Sequence, residues 1–287
     1  MRIVIGTANF IKKYGYKKEF VNKQDIIKIL NFAYKKKILE IDTAFDYDEF
    51  YQVKQDINLT KFKISTKCKF KKTDIKKNFF NSKYFRLIKN KLHKLNISNF
   101  ENFFIHNFDE LNKIEANKVL MLLNSLKSLN YIRNVGISLY EKRSLKNITN
   151  FKLLDIIQVP INIFDRNFIS KEILTNLKKN DVKVQARSIF LQGFLLENFQ
   201  KTKKLYLLEK PLLEFFEDWL VENNISKLDA CTSFIKKNKQ IYSTVVGINN
   251  LTQFKQILSS FSKKKTKTIP KRMISKKNEF IDPRKWN

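Results

Sequence analysis

Four side chains capable of acid–base chemistry follow successive apolar runs of this sequence. Asp42 comes directly after one such run, and Tyr47 stands five positions later. Lys67 follows the next run and His106 the one after it. A carboxylate, a phenol, an amine and an imidazole at the ends of neighbouring strands could act together on one substrate. We therefore predict that Asp42, Tyr47, Lys67 and His106 form a catalytic site.

These residue types suit proton transfer to a carbonyl oxygen. A phenol with a pKa near ~10 is a poor acid at neutral pH, and a lysine ammonium beside it lowers that pKa. A buried lysine in turn needs a carboxylate partner to remain charged, and Asp42 could serve Lys67 in this way. The neutral imidazole of His106 could hydrogen-bond and orient the substrate oxygen. Such a set suits carbonyl reduction, in which a hydride reaches the carbon while the oxygen is protonated.

The composition limits the class of protein. A chain of 287 residues with 43% hydrophobic residues suits a soluble globular protein with a substantial core. No apolar stretch approaches the ~18 residues of a membrane span, and residues 1–6 suggest a first strand rather than a signal peptide. Cys68 and Cys231 are too few for a disulfide framework or a cysteine-based zinc site. We predict no metal site and a cytoplasmic location.

The net charge of +30 would ordinarily suggest nucleic acid as a partner. The excess is nearly all lysine, however, and it is spread from one end of the chain to the other. Arginine, which binds phosphate in a bidentate manner, is scarce. We predict solvated lysine-rich faces and no specific nucleic-acid partner, while weak, salt-sensitive binding stays open.

Short apolar runs alternate with segments of helical periodicity. The predicted strands are Arg2–Ile5, Ile38–Ile41, Phe62–Ser65, Asn102–Ile105, Arg133–Ser138, Leu154–Pro160, Val182–Arg187 and Ile241–Gly247. The clearest helical faces consist of Ile26, Ile27, Leu30 and Ala33, and of Val119, Leu120, Leu123, Leu126 and Leu129; a third helix is predicted over 79–95. Strands that alternate with helices predict a parallel (β/α)8 TIM barrel. A doubly wound sheet is the main alternative, but its glycine-rich turn after the first strand is absent.

The barrel is predicted to occupy residues 1–262 as one domain. Residues 263–287 form a basic segment with two prolines, which we predict to be extended and to lie on the barrel, with Trp286 as a candidate anchor. Glycine is scarce, with five in the chain, so those present are predicted to mark positions where a side chain would not fit; the alternative is that they occupy ordinary turns.

The order of these motifs resembles the aldo/keto reductase superfamily nearly from end to end. Residues 41–44 with Tyr47, residues 65–67 and residues 105–107 resemble the segments with the family's catalytic Asp, Tyr, Lys and His. Residues 6–10 resemble the first strand and loop of bacterial members. The resemblance implies NAD(P)H-dependent reduction of an aldehyde, ketone or sugar-like carbonyl compound to an alcohol, with Tyr47 as the general acid.

The resemblance also implies a set of residues that bind the nicotinamide cofactor. They are Gly6, Thr7, Ser138, Gln158, Arg187, Ser188, Gln192, Gly247, Asn249, Asn250 and Gln253. Ser138 and Gln158 would hold the carboxamide of the nicotinamide. Asn249 and Asn250 stand where many members bind the 2′-phosphate with Arg or Lys, and Lys255 is a candidate for supplying that charge. NADP(H) is predicted over NAD(H).

The sequence departs from the family pattern at three positions. Asp48 replaces the Gly after the catalytic Tyr, and Leu139 replaces an Asn that contacts the carboxamide. Arg187 replaces an aromatic residue that stacks on the nicotinamide, although a guanidinium can also stack on a ring. The last two departures motivate an alternative function, a cofactor-binding or sensing module on a reductase barrel without physiological turnover. The identity of the carbonyl substrate and the oligomeric state are left open.

Overall fold

A computed structural model describes residues 1–10, 13–47 and 53–286 of the chain. Its strands form a closed, all-parallel barrel in chain order, and β1 pairs with β8 to close it. The strands are β1 Arg2–Gly6, β2 Glu40–Asp42, β3 Lys63–Cys68, β4 Phe100–Ile105, β5 Ile132–Ser138, β6 Ile156–Pro160, β7 Lys183–Arg187 and β8 Ile241–Gly247. The predicted single-domain (β/α)8 TIM barrel is confirmed, and the doubly wound alternative is wrong because an open sheet would leave β1 and β8 unpaired.

Helices lie between the strands along the chain. They are α1 Lys23–Lys35, α2 Lys72–Ile75, α3 Phe80–Leu95, α4 Lys113–Ser128, α5 Lys171–Lys179, α6 Lys203–Leu208, α7 Lys210–Glu222, α8 Lys227–Lys237, α9 Leu251–Ser262 and α10 Asn278–Ile281. None of the described helices is long and apolar enough to cross a membrane.

The sequence determines several helix ends through capping. The Asn112 side chain accepts a hydrogen bond from the backbone N–H of Glu115, whose carboxylate accepts one from the backbone N–H of Asn112, and this capping box begins α4. The predicted apolar face of α4 is buried except for Leu129, which lies just past the last turn and is exposed. On α1, Ile29 is buried, whereas Ile27 is only partly buried.

The third strand is longer than the apolar run predicts. The sequence argument ends it at Ser65, before polar residues, but β3 continues to Cys68 and pairs with β4 at Lys67 and Phe104. A lysine is tolerated in this buried strand because the carboxylate of Asp42 lies beside it. The second strand begins later than predicted, at Glu40, and includes Asp42.

Residues beyond α9 contribute to the core. Ile269, Met273, Phe280 and Ile281 are buried. The indole Nε1 of Trp286 donates a hydrogen bond to the carbonyl oxygen of Phe280 at 2.9 Å, and its ring lies 5.9 Å from that of Phe194. This segment includes the short helix α10 and is therefore not extended throughout. The domain boundary at residue 262 stays a prediction.

Candidate active site

The carboxyl ends of the strands surround a cavity of about 430 Å³. Apart from the candidate Lys255, every catalytic or cofactor-binding residue predicted from the sequence lines it: Gly6, Thr7, Asp42, Tyr47, Lys67, His106, Ser138, Gln158, Arg187, Ser188, Gln192, Gly247, Asn249, Asn250 and Gln253. Such convergence follows from the barrel, in which the parallel strands all end at the same mouth. A volume of this size is in the range of small-molecule sites.

Backbone pairing beyond the end of β2 positions Tyr47. The N–H of Thr43 donates to the carbonyl of Ser65, and the N–H of Phe45 donates to the carbonyl of Lys67, each at 2.9 Å. The loop therefore continues alongside β3 after Asp42. A turn then follows, in which the N–H of Tyr47 donates to the carbonyl of Ala44 at 3.0 Å. Tyr47 is thus held at the cavity, near the end of β3. Asp48 lies outside the described residues.

A buried ion pair forms the centre of the site. The Lys67 ammonium donates to Oδ2 of Asp42 at 2.5 Å, and both side chains are buried. The amide of Gln158 donates to Oδ1 of Asp42 at 2.8 Å and to Oε1 of Gln185 at 2.8 Å. Gln185 in turn donates to the hydroxyl of Ser243 at 3.0 Å. The carboxylate is therefore fixed on both oxygens, and it fixes the ammonium.

The ionisation of Lys67 and Tyr47 is dominated by burial. Burial lowers the pKa of Lys67, and the Asp42 carboxylate opposes this shift. The pKa of Tyr47 is raised, first by burial and then by the nearby Tyr14 and Asp42. This direction is opposite to the one expected from a neighbouring lysine, because burial of the phenol is the largest effect on its pKa. The phenol is therefore protonated at neutral pH and able to donate its proton.

His106 is held as a neutral imidazole. Its backbone N–H donates to the carbonyl of Cys68 at 2.8 Å, which continues the pairing of β3 and β4. Burial, followed by the charges of Lys67, Lys69 and Arg187, lowers the pKa of His106 to about 3. Its Nδ1 is buried and has no hydrogen-bond partner within the described residues. A neutral ring can hydrogen-bond a carbonyl oxygen without bringing a second positive charge to the site.

The cavity offers polar groups that fit a nicotinamide carboxamide. Gln158 uses its amide nitrogen within the barrel, while its Oε1 is buried without a partner among the described residues. An unpaired buried acceptor is costly, and the N–H of a carboxamide would satisfy it. Ser138, at the end of β5, brings a hydroxyl to the same cavity. Gly247 leaves open space, since a Cβ there would have no heavy atom within 4 Å.

Hydrogen bonds connect the polar residues of the loop after β8 with one another. The side-chain oxygen of Asn250 accepts from the N–H of Gln253 at 2.8 Å and caps α9, while Gln253 Oε1 accepts from the N–H of Asn249 at 2.7 Å. The amide of Asn249 donates to the Glu19 carboxylate at 2.7 Å. Lys255 does not line the described cavity; its ammonium lies 5.7 Å from the ring of Phe32.

The two departures at β5 and β7 lie side by side. Leu139 is fully buried, and its carbonyl accepts a hydrogen bond from the guanidinium of Arg187 at 3.1 Å. The Arg187 guanidinium lies 3.8 Å from the centre of the Tyr140 ring. A protein aromatic ring therefore already stacks on Arg187.

Several lining residues were not predicted as site residues, among them Lys17, Glu19, Tyr14 and Tyr140. Tyr140 comes two residues after the end of β5, so the rule that found the other residues at strand ends could have found it. Tyr14, Lys17 and Glu19 belong to the longer loop after β1, whose path the sequence pattern does not predict.

Comparisons with known proteins agree with this geometry. The model of the aldo/keto reductase family matches residues 2–276. A solved structure described as a Pseudomonas aeruginosa aldo-keto reductase is similar, with a TM-score of 0.62, 15% identity and coverage of 91% of this chain and 89% of that one. The thermostable aldo-keto reductase Tm1743, solved with the inhibitor epalrestat, is similar with a TM-score of 0.64 and 17% identity, and the match covers 95% of this chain and 94% of that one. Identities this low show a shared fold. A comparison with curated protein sequences finds no match.

Proposed function

This chain belongs to the aldo/keto reductase family, and we propose that it reduces a carbonyl compound to an alcohol with NAD(P)H and with Tyr47 as the general acid. The observation that carries the proposal is the buried Lys67–Asp42 ion pair, with its 2.5 Å contact, at the mouth that also holds Tyr47 and His106. A buried pair is costly to desolvate, and its placement at a cavity rather than in the core suggests a chemical use.

Each of the four residues has a separate role in the proposed reaction. Tyr47 is protonated at neutral pH, as a phenol with a pKa near ~10 already is and as its raised pKa reinforces, and it gives its proton to the carbonyl oxygen. Lys67 stabilises the phenolate that forms as the proton leaves. Asp42 holds Lys67 charged and in place. His106, neutral because its pKa is lowered to about 3, donates a hydrogen bond to the same oxygen and orients the substrate.

A reduced nicotinamide bound in the cavity would supply the hydride. Ser138 and the unpaired Oε1 of Gln158 would hold its carboxamide. The residues proposed to bind the rest of the cofactor lie along the cavity: Gly6, Thr7, Ser188, Gln192, Gly247, Asn249, Asn250 and Gln253. Arg187, which the family resemblance also assigns to the cofactor, already stacks on Tyr140 and is not proposed to bind it.

NADP(H) remains the proposed preference over NAD(H), although two charged groups of the cavity do not favour a 2′-phosphate. Lys17 lines the cavity but is paired with Glu197 at 2.9 Å. The Glu19 carboxylate, bound to Asn249, would repel a 2′-phosphate near that residue. The preference therefore rests on the family resemblance and on the high positive charge of the chain.

The remaining expectations are parts of the same proposal. The substrate is a small carbonyl compound, and neither a specific nucleic acid nor a membrane is a partner. The location is the cytoplasm, where buried thiols such as those of Cys68 and Cys231 stay reduced. A cofactor-binding or sensing module without turnover is the alternative, which the replacement of a carboxamide contact by buried Leu139 motivates.

The direct test is a panel of aldehydes, ketones and sugar-like carbonyl compounds with NADPH and with NADH. Consumption of the reduced cofactor is followed at 340 nm, and cofactor binding is measured separately by fluorescence quenching. We expect turnover with at least one class of carbonyl compound and tighter binding of NADPH than of NADH. Cofactor binding without oxidation across the whole panel would favour the sensing module instead.

A further inference from the structure

Among the residues that the structure describes, Arg187 differs from the lysines of the cavity in having no acidic partner. Lys67 is paired with Asp42 at 2.5 Å, and Lys17 with Glu197 at 2.9 Å. Among the described residues, no carboxylate lies within ion-pair distance of Arg187, which is partly buried. A partly buried guanidinium without a counter-charge is unfavourable unless a ligand provides one.

The guanidinium of Arg187 is held in a fixed orientation. It lies over the ring of Tyr140 at 3.8 Å, and the guanidinium of Arg284 lies over the same ring at 3.6 Å. Two guanidinium groups cannot both approach one face of the ring this closely, so the ring lies between them. Arg284 is in turn held by the Asp282 carboxylate at 2.6 Å, and the Tyr140 N–H donates to Asp109 at 2.7 Å.

Most of the N–H donors of Arg187 remain available within the described part of the chain. One donates to the carbonyl of Leu139 at 3.1 Å, and another makes a long contact of 3.4 Å with the hydroxyl of Ser188. Because the Tyr140 ring covers one face of the guanidinium, a ligand would meet the N–H groups along its edge. That edge is the part of arginine that binds carboxylates in a bidentate manner.

Arg187 ends β7 and donates to the carbonyl of Leu139 just past the end of β5, whereas Asn249 and Asn250 follow β8. Its charge is also among the causes that lower the pKa of His106 and of Lys67. It also acts on two acidic groups, Asp165 and Asp282. Neither of them forms an ion pair with Arg187: Asp282 is bound to Arg284, and Asp165 is buried and accepts a hydrogen bond from the backbone N–H of Asn167.

From this geometry we infer that the substrate is a carbonyl compound that carries a carboxylate, and that Arg187 binds this carboxylate while the carbonyl group faces Tyr47 and His106. The inference rests on the proposed reductase function and specifies its substrate class. Arg187 would thus act as a specificity-determining residue, and Tyr140 with Arg284 would position it. The positive charge of the whole chain would also favour the approach of an anionic substrate.

The test compares 4-carboxybenzaldehyde with its methyl ester, which keeps the ring and the aldehyde but removes the charge. The wild type is expected to show at least a roughly 10-fold higher kcat/KM for the acid. Arg187→Met is expected to lower kcat/KM for the acid by roughly 10- to 100-fold, mainly through KM, because a hydrogen-bonded charge is lost. In Arg187→Met, kcat/KM for the ester is expected to change by less than about 3-fold. Equal use of the acid and the ester by the wild type would overturn the inference.

Two further variants separate charge from structure. Arg187→Lys keeps the charge but not the bidentate edge, so partial recovery of the acid preference is expected relative to Arg187→Met. Lys285→Met removes an equal charge from an exposed residue next to Arg284 and is expected to leave both substrates unaffected. If Arg187→Met weakens NADPH binding and lowers turnover of the acid and the ester alike, Arg187 serves the cofactor and the inference is wrong.

Binding of benzoate and of benzamide, measured by calorimetry, separates this inference from the proposed function. If neither these aldehydes nor any other compound of the carbonyl panel is reduced, the reductase proposal fails. A preference for benzoate that disappears in Arg187→Met would still support a carboxylate site. If the ester is reduced but benzoate binds no better than benzamide, the reductase proposal stands and the carboxylate site is overturned.

Discussion

At the scale of single residues, burial controls the chemistry of the site. The pKa of Tyr47 is raised and that of His106 is lowered to about 3, so both groups are neutral at pH 7. The buried ion pair of Lys67 with Asp42 is neutral as a whole. Little net charge therefore faces a carbonyl group at this end of the cavity except that of Arg187. A neutral acid beside a fixed ion pair suits a reaction in which a negative charge develops on oxygen.

The lowered pKa of His106 predicts a pH-dependent stability. In the unfolded chain a histidine binds its proton near pH ~6.5, whereas folded His106 does so only near pH 3. The unfolded state therefore binds more protons between these values, and the free energy of unfolding falls as the pH is lowered through this window. Between pH 7 and pH 5 this effect should lower the free energy of unfolding of the wild type by about 2 kcal/mol, and His106→Gln should remove that contribution.

Urea unfolding at the two pH values measures this effect, because each variant serves as its own reference. His93, exposed on α3, provides the matched control, and His93→Gln should retain the pH dependence of the wild type. A His106→Gln variant that loses as much stability as the wild type between pH 7 and pH 5 would contradict the assigned ionisation.

At the scale of elements, the sequence predicts strand positions well and strand ends less well. β8 has the predicted bounds, Ile241–Gly247, since a run rich in β-branched residues begins there after polar residues and ends at a glycine. β3 was cut short at Ser65 because Lys67 looks like a residue that ends a buried strand. Its partner Asp42 lies 25 positions earlier in the chain, and no local pattern connects the two. Polar catalytic residues at the ends of strands thus make the strand ends hard to predict from an apolar pattern.

Glycines in the barrel strands are expected to differ in their tolerance of a side chain. At Gly136, in β5, a Cβ would lie 2.4 Å from the ring of buried Phe104 and 3.0 Å from Ile156. At Gly247, at the end of β8, no heavy atom lies within 4 Å. Gly136→Ala should therefore lower the free energy of unfolding by about 1–3 kcal/mol because it overpacks the barrel.

Denaturant unfolding of Gly136→Ala and Gly247→Ala compares the same substitution at two strand positions. Gly247→Ala should stay within about 0.5 kcal/mol of the wild type in stability. The prediction that the glycines mark positions where a side chain would not fit holds for Gly136, and for Gly193 because its φ of +93° favours glycine, but it is wrong for Gly247, where space is open. Equal stability of the two variants would mean that Phe104 can move away from the added methyl group.

At the scale of the whole molecule, the order of motifs along the chain was the most informative signal. Parallel strands end at one mouth, so residues scattered from Gly6 to Gln253 line a single cavity, and the fold makes this convergence predictable. The sequence could not predict how the C-terminal segment reaches that mouth. Arg284 lies over Tyr140 through a contact between residues far apart in the chain, and neither residue carries a recognisable motif.

Proton donation by Tyr47 is the central claim, and Tyr47→Phe tests it most directly. The substitution removes only the hydroxyl, so the cavity and the cofactor-binding residues should remain intact. Turnover of a carbonyl substrate and the Kd for NADPH are measured on the same preparation. We expect the reaction rate to fall by at least roughly 100-fold, with the Kd changed by less than about 3-fold. Turnover close to that of the wild type, with unchanged NADPH binding, would contradict the assignment of Tyr47 as the general acid.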